Sequence, residues 1–265
     1  MRRLIPARRH ATLRQPLRAA LLTLCFAGFA AAATLPAQAQ AAGGSHAALF
    51  ARVEAAASRS DSPALKYHLG MLLNNGIGSA RDLPRAYALF SEAAAAGDAL
   101  AAYKVGCYLA GQFAGVVPLD EAQALAYKQR AAEAGYDLAQ HDVGLVLLKR
   151  GDRAGAERWL ALASRQGDLA STRALAVLAE KDGKDPVQAL GLLLVAQAGM
   201  RPAPAALADR IATLKSGMDD AGRQRAEALQ AGWVTGPTAL TQQARAGMRD
   251  VEPLLTAARP TGQQP

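Results

Sequence analysis

Reactive side chains are scarce in this sequence. Two cysteines and four histidines occur among its 265 residues, and aromatic residues make up only 5% of the chain. Cys25 lies in an N-terminal apolar run, so Cys107 is the only thiol in the remainder, where no disulfide can form. A single thiol is best tolerated in an oxidising compartment when it is buried, so we expect Cys107 to pack as a small apolar residue.

Motifs that carry catalysis are missing as well. The sequence contains no H-E-x-x-H, C-x-x-C or G-x-S-x-G and no glycine loop of the kind that cradles phosphate. We therefore predict that the protein is not an enzyme and has no catalytic residue, metal site or cofactor. Carboxylates that recur at regular intervals are better explained as helix N-caps than as paired catalytic acids: Asp82, Asp98, Asp120, Asp137, Asp152 and Asp168.

The first 41 residues have the three parts of an export signal. Six arginines and no acidic residue precede or begin an apolar run from Ala19 to Leu35, and Ala37-Gln38-Ala39 then offers the small residues that a signal peptidase needs. We predict a cleaved signal peptide over residues 1–41 and a periplasmic or secreted protein. The alternative is an uncleaved helix that tethers the protein to the membrane, and we expect membrane contact only in that case.

Positive charge is concentrated in that N-terminal segment. The whole chain has a net charge of +8, but without those six arginines it keeps 24 basic and 22 acidic residues. A nearly balanced surface has no electrostatic footprint for nucleic acid, so we predict no nucleic-acid partner.

The central half of the chain is repetitive. Four segments end in similar runs of small residues, at Gly97, Gly135, Gly167 and Gly199, and each run follows an apolar stretch with helical spacing. Glycine inside a helix costs roughly 1 kcal/mol relative to alanine, so its recurrence in the first helix of three units, at Gly70, Gly106 and Gly144, indicates a close helix crossing. The pattern predicts an all-α protein with four helix pairs over residues 63–199.

The recurring residues resemble the Sel-one-like repeat, a branch of the tetratricopeptide-like helical repeats. The resemblance implies a right-handed α-solenoid of antiparallel helix pairs whose first helices line a concave binding face. The fourth unit departs from the family pattern, because Leu175 stands where the family has glycine. The residues that carry the resemblance in the first two units are Leu69-Gly70, Gly76, Gly78, Asp82, Ala86, Ala93 to Gly97, Val105-Gly106, Asp120, Ala124 and Ala131 to Gly135.

Three further segments flank the repeats. Residues 42–62 are rich in glycine and alanine and are predicted to be a flexible leader, and residues 200–233 a degenerate helix pair that caps the solenoid. Four prolines and scattered glycine and glutamine predict a mobile tail over 234–265. A small docking motif built from Val251, Leu254 and Leu255 is the alternative interpretation of that tail.

The resemblance also implies where a partner would bind. The position three residues before the repeat glycine faces the concave side in the family, and Asn74 and Lys149 lie nearby. We expect these residues to contact a protein or peptide partner, although the tyrosines among them are equally suited to packing between units. The expected partner-binding residues are Tyr67, Tyr103, His141, Thr172, Asn74 and Lys149.

The sequence thus predicts a non-catalytic adaptor, scaffold or regulator in the cell envelope, acting as a monomer. One alternative is an envelope enzyme or accessory protein with an unrecognised site, and another is the membrane-tethered scaffold. An enzyme should bring at least two titratable groups within hydrogen-bond reach in a cleft, and His141 is the residue at which we look for such a pair.

Overall fold

The computed structural model describes residues 37–181 and 185–258, with side chains from residue 44 onward. These residues form helices and connecting loops without a strand. None of the described helices is both long and apolar enough to cross a membrane. The helices are α1 (Ala37–Arg59), α2 (Pro63–Asn75), α3 (Leu83–Ala95), α4 (Ala99–Leu109), α5 (Glu121–Glu133), α6 (Asp137–Lys149), α7 (Arg153–Arg165), α8 (Leu169–Lys181), α9 (Pro186–Gly199), α10 (Ala205–Ser216), α11 (Asp220–Ala231), α12 (Ala239–Ala246) and α13 (Val251–Ala257), with a 3-10 turn at Gly247–Asp250.

Consecutive helices pack as pairs, and consecutive pairs stack. The pairs are α2 with α3, α4 with α5, α6 with α7, and α8 with α9, and the second helix of each of the first three pairs packs on the first helix of the next. This is the α-solenoid predicted for residues 63–199. Beyond the four pairs, α9 also packs against α11 and makes a smaller contact with α10.

Aspartates begin most of the repeat helices, as the sequence predicts. Asp98 Oδ1, for example, accepts a hydrogen bond from the N–H of Ala101 at 2.7 Å and so satisfies a donor left free at the start of α4. Asp137 is the exception, because the N-cap position of α6 is Tyr136 and the Asp137 carboxylate pairs with Arg245 instead. The side chains of Asp82, Asp98, Asp120, Asp152, Asp168 and Asp185 all cap in this way.

Small residues let the two helices of a pair approach closely. A Cβ atom built on Gly106 would lie 2.9 Å from the carbonyl oxygen of Ala124 on α5, and one built on Gly70 would lie 2.7 Å from Phe90 Cε1 on α3. Ala124 is itself buried against α4. The close crossing that the helical glycines predict is therefore present.

In the fourth pair, the small residue at the helix crossing lies the same number of positions after the N-cap as in the other pairs. This position is one residue later than the sequence comparison predicted. The N-caps Asp98 and Asp168 each precede a small buried residue by eight positions, and these residues are Gly106 and Ala176. Ala176, rather than Leu175, therefore occupies the crossing position. The first helix of this unit, α8, is rich in alanine and has no glycine to mark the register, which explains the shift of one residue.

The flexible leader predicted for residues 42–62 is instead mostly helical. Helix α1 packs against α2, and Val53, Ala56 and Ala57 are buried in the core of the first repeats. These residues lie at helical spacing, so they bury one stripe of α1 despite the high content of glycine and alanine. The signal peptide predicted for residues 1–41 lies outside the described residues except for the first turn of α1.

The mobile tail predicted for residues 234–265 is also helical in its described part. Val251 and Leu255 are buried against α1 and α2, as in the docking motif weighed for this segment. The rest of the predicted tail, residues 259–265, lies outside the described residues. We call residues 235–258 the C-terminal strap.

The strap returns along the solenoid from the junction of its third and fourth pairs to its first pair. Its path begins where Gly236 N–H donates to the carbonyl oxygen of Arg165 at 2.9 Å and continues where Thr238 Oγ1 donates to the carbonyl oxygen of Gly135 at 2.8 Å. Both acceptors lie at the turns that join successive pairs. The strap therefore donates hydrogen bonds to carbonyl oxygens at helix ends, which have no partner within their own helix.

Candidate functional site

The first helices of the four pairs have equivalent positions that form a row, and we call the side of these helices that contains the row the first-helix face. Tyr67, Tyr103, His141 and Arg173 occupy equivalent positions on α2, α4, α6 and α8, each five residues after the helix N-cap position. Exposure increases along this row, from buried Tyr67 through half-buried Tyr103 and His141 to exposed Arg173. The face is therefore closed at the first repeat and open at the third and fourth.

Tyr67 is a core residue rather than a surface anchor. Only 8% of the residue is exposed, and its ring packs against His68 and Phe90 with centroid separations of 5.2 and 6.0 Å. Burial, together with the nearby charge of Asp98, raises the pKa of Tyr67 to about 12. Among the two interpretations of this tyrosine, the structure favours packing between units.

Two other expected contact residues are buried as well. Asn74 accepts a hydrogen bond from Tyr108 Oη at 2.8 Å, inside the core, and Thr172 Oγ1 lies 2.7 Å from Ser164 Oγ with no exposed surface. Thr172 was expected at the surface because of the one-residue slip, and Arg173 holds the position instead. Both buried side chains stabilise the solenoid and cannot reach a partner.

Tyr103 belongs to a polar cluster that joins three helices. Its hydroxyl donates to Asp142 Oδ2 at 3.3 Å, and Lys128 Nζ lies 2.6 Å from the same oxygen. The Tyr103 ring packs edge-on against Tyr136 at 5.0 Å. Because burial raises the pKa of Tyr103, the phenol stays protonated and acts as a donor to the carboxylate.

Cys107 is buried beside this cluster, as predicted. It is a free thiol, and burial raises its pKa, with Asp142 adding to the effect and Lys128 opposing it. A thiol held in its neutral form is a poor nucleophile. Cys107 therefore packs as a small apolar side chain.

His141 contacts a serine and an aspartate, the residue types of a hydrolytic triad. We find no second such group near the open part of the first-helix face among the described residues. The His141 Nδ1 atom lies 2.8 Å from Ser171 Oγ and 3.2 Å from Asp168 Oδ2. In a working triad the serine and the carboxylate occupy different ring nitrogens, so that the base can take the proton of the serine while the carboxylate orients it. Here both lie on one nitrogen, and Ser171 is completely buried.

The Asp168–His141 contact is therefore a structural link between α6 and α8. Hydrogen bonding to Asp168 raises the pKa of His141 against the effect of burial. Burial would raise the pKa of Asp168, but hydrogen bonds from His141 and Ser171 outweigh it and hold that pKa at about 2. Two titratable groups do meet at His141, without a geometry that activates a nucleophile. Across the described residues, no group of three His, Cys, Asp or Glu side chains could hold a metal ion.

The open part of the first-helix face contains a groove between α6, α8 and α10. Its volume is about 480 Å³, and exposed apolar side chains line it, with Leu145 41% and Val177 59% exposed. His141 and Arg173 lie at its edge. Leu145 and Val177 were not among the predicted contact residues, although each follows a member of the row by four residues and so lies on the same side of its helix.

Lys149 is exposed but does not belong to this groove. It lines a separate cavity of about 250 Å³ with Arg150, Val146 and Glu121, near the C-terminal end of α6. Of the six residues expected to bind a partner, the structure brings only His141 to the open groove, while Tyr103 lies half-buried beside it in the row.

Comparison with known families matches this architecture. A family described as Sel1 repeat matches residues 64–98, 99–136 and 137–168, which correspond to the first three helix pairs. The chain is therefore a helical-repeat protein built on an α-solenoid. Residues 64–168 of this chain are three Sel1 repeats. No curated protein matches the sequence.

One solved structure shares the fold, and a second aligns more weakly. A Sel1 repeat protein from Oxalobacter formigenes is similar with a TM-score of 0.51 and 20% identity, over 72% of this chain and 80% of that chain. A protective antigen present in uropathogenic Escherichia coli strains, described as displaying an SLR fold, aligns with a TM-score of 0.28 and 16% identity over 83% of this chain and 61% of that one. At 20% identity, the first similarity establishes a common fold and nothing about ligands.

Proposed function

We propose that this protein is a non-catalytic scaffold of the cell envelope that binds a partner protein through the open part of its first-helix face. Sel1 repeat proteins are generally protein-interaction scaffolds. The role in the envelope and the surface used are specific to this proposal.

The observation that supports this surface is the clustering of exposed apolar residues. Leu138, Leu145 and Val177 are three of the six large apolar side chains that are well exposed among the described residues, and all three lie on α6 and α8. Isolated exposed apolar residues are common, but several on one face mark an interaction site. Extended faces of this kind are what solenoids use for binding.

Location in the envelope is supported by the sequence of residues 1–41. A basic segment, an apolar run and small residues before the expected cleavage site follow in the order that export requires. Sequencing the N-terminus of the protein purified from cells tests this point. A start near Gln40 or Ala42 supports export with cleavage, and an intact Met1 supports the tethered scaffold.

Site-specific photo-crosslinking in intact cells tests the surface. A photoreactive amino acid replaces Leu145 or Val177 in two variants, and Leu162 in a third. Leu162 is a matched control because it is 50% exposed but lies on α7, the second helix of its pair. We expect a discrete protein adduct from Leu145 and Val177 and none from Leu162. Adducts from Leu162 alone, or from no position, would refute binding at this face.

A further inference from the structure

The groove between α6, α8 and α10 has one wall that the repeats do not supply. Leu145 and Val177 come from the third and fourth pairs, while Pro204, Leu207 and Arg210 come from α10 and the residue before it. The matched repeats end at residue 168. The shape of this groove is therefore a property of this chain rather than of the repeat.

Three basic side chains line the groove, and two of them already contact a carboxylate. Arg210 Nε donates to Glu180 Oε2 at 2.9 Å, and His141 Nδ1 lies 3.2 Å from Asp168 Oδ2. Arg173 is exposed and has no carboxylate partner among the described residues. The groove thus combines an apolar surface with one guanidinium that remains available for an anion.

We propose that this groove binds a segment of a partner protein that packs an apolar side chain on Leu145 and Val177 and places a carboxylate against Arg173. This proposal rests on the proposed function and specifies the chemistry of the partner. A guanidinium at the edge of an apolar surface favours a carboxylate for two reasons. The pair has good hydrogen-bond geometry, and the neighbouring apolar contact reduces its exposure to water.

The same face offers no equivalent site at its other end. The C-terminal strap packs on α1 and α2 near the first repeat, where Val251 and Leu255 are buried. Tyr67, the counterpart of Arg173 in the first pair, is buried too. A partner segment is therefore directed to the third and fourth pairs.

Selection from a library of short random peptides displayed on phage tests the proposal, with the full-length protein immobilised as bait. Enriched peptides are then synthesised with a fluorescent label, and their affinity is measured by anisotropy. We expect enriched sequences to combine a large apolar residue with Asp or Glu. Changing that acidic residue to its amide should weaken binding about tenfold, the loss expected for a hydrogen bond to a charged group.

Variants of the protein locate the contact. Arg173→Gln should weaken binding of the acidic peptide about tenfold and should have little further effect on the amide peptide, because the two changes remove the same interaction. Arg158→Gln is the matched control, since Arg158 is exposed on α7 without a partner in the described residues. Val177→Asp should abolish binding, whereas Leu162→Asp should not.

The outcomes separate this proposal from the proposed function. The carboxylate contact would be overturned if the enriched peptides were neutral or basic. It would also be overturned if Val177→Asp abolished binding and Arg173→Gln left it unchanged. Either result would leave the face as the binding surface. Binding that is unaffected by both variants would overturn the groove itself. A selection without any binder counts against both proposals.

Discussion

Arg245 and Asp137 are 108 residues apart in the sequence, yet Arg245 Nη2 lies 2.6 Å from Asp137 Oδ2. Asp137 stands in the first turn of α6, and only 6% of its side chain is exposed. The backbone N–H of Asp137 also bonds to the strap, because it donates a hydrogen bond to Thr241 Oγ1 at 3.1 Å. This single residue therefore fixes the middle of the C-terminal strap to the third repeat.

Replacing Arg245 should destabilise the fold through the buried carboxylate that is left behind. For Arg245→Met we expect the free energy of unfolding to fall by about 1–3 kcal/mol, because Asp137 loses its charged partner while it stays out of water. Urea denaturation followed by circular dichroism measures the change. Arg249→Met is the control, because Arg249 is exposed and bonds only to nearby carbonyl oxygens, and its effect should stay within about 0.5 kcal/mol.

The end of the strap makes a second, apolar contact that can be tested separately. Leu255 is buried against the first repeat, whereas its neighbour Leu254 is half-buried. We expect Leu255→Ala to lower the free energy of unfolding by about 2–3 kcal/mol, near the low end for buried leucine because the site is close to the surface. Leu254→Ala, the same chemical change one residue away, should cost less than half as much. Equal losses of unfolding free energy in the two variants would show that α13 does not pack through one side of the helix.

Local signals predicted the repeats well, and long-range contacts account for what they missed. Asp98 and Gly106 act within one helix pair, so a cap and a close crossing can be read from a few adjacent residues. The strap depends on Arg245 meeting Asp137, and no local pattern in residues 234–258 records that contact. Composition alone indicated a mobile segment there, and the apolar spacing of Val251 and Leu255 was the one signal that favoured docking.

The prediction of the candidate site also failed where the local sequence contains no marker. A slip of one residue in α8, which contains no glycine, selected buried Thr172 in place of exposed Arg173. In a helix, neighbouring residues differ by about 100° in direction, so a slip of one position exchanges a core side chain for a surface one. The row of equivalent positions was correct for Tyr67, Tyr103 and His141, but which members are buried depends on contacts from other helices, such as that of Tyr67 with Phe90 on α3.

The close crossing of α4 and α5 predicts opposite effects of one substitution at two glycines. A Cβ on Gly106 would meet the Ala124 carbonyl oxygen at 2.9 Å, and this backbone atom cannot move without separating the helices. We expect Gly106→Ala to lower the free energy of unfolding by about 1–3 kcal/mol. Gly44→Ala in α1 should be neutral or stabilising by up to about 1 kcal/mol, because nothing lies within 4 Å of that position and alanine is the better helix former. Thermal unfolding of both variants measures the contrast, and similar losses at both sites would contradict the crossing.

His68 should make the fold sensitive to acid. The residue is buried between the first repeat and its neighbours, and neither ring nitrogen has a hydrogen-bond partner. Burial lowers the pKa of His68 below its usual value of 6.5, with Asp250 of the strap opposing the effect. The unfolded chain therefore binds a proton more readily than the folded protein as the pH falls below about 6.5, and the folded state loses stability over that range. Above this pH both states hold the neutral imidazole, and the effect disappears.

An apolar residue of similar size at position 68 should remove this sensitivity. We expect His68→Leu to match or exceed the wild-type stability near neutral pH, because an unpaired buried polar group is replaced by one that needs no partner. The free-energy advantage of the variant should grow as the pH falls below about 6.5, the value from which the pKa is lowered. Urea denaturation across this range measures the difference, with His46→Leu at an exposed position of α1 as the control. A constant difference between wild type and His68→Leu at all pH values would mean that His68 gains a proton as easily in the folded protein as in the unfolded chain.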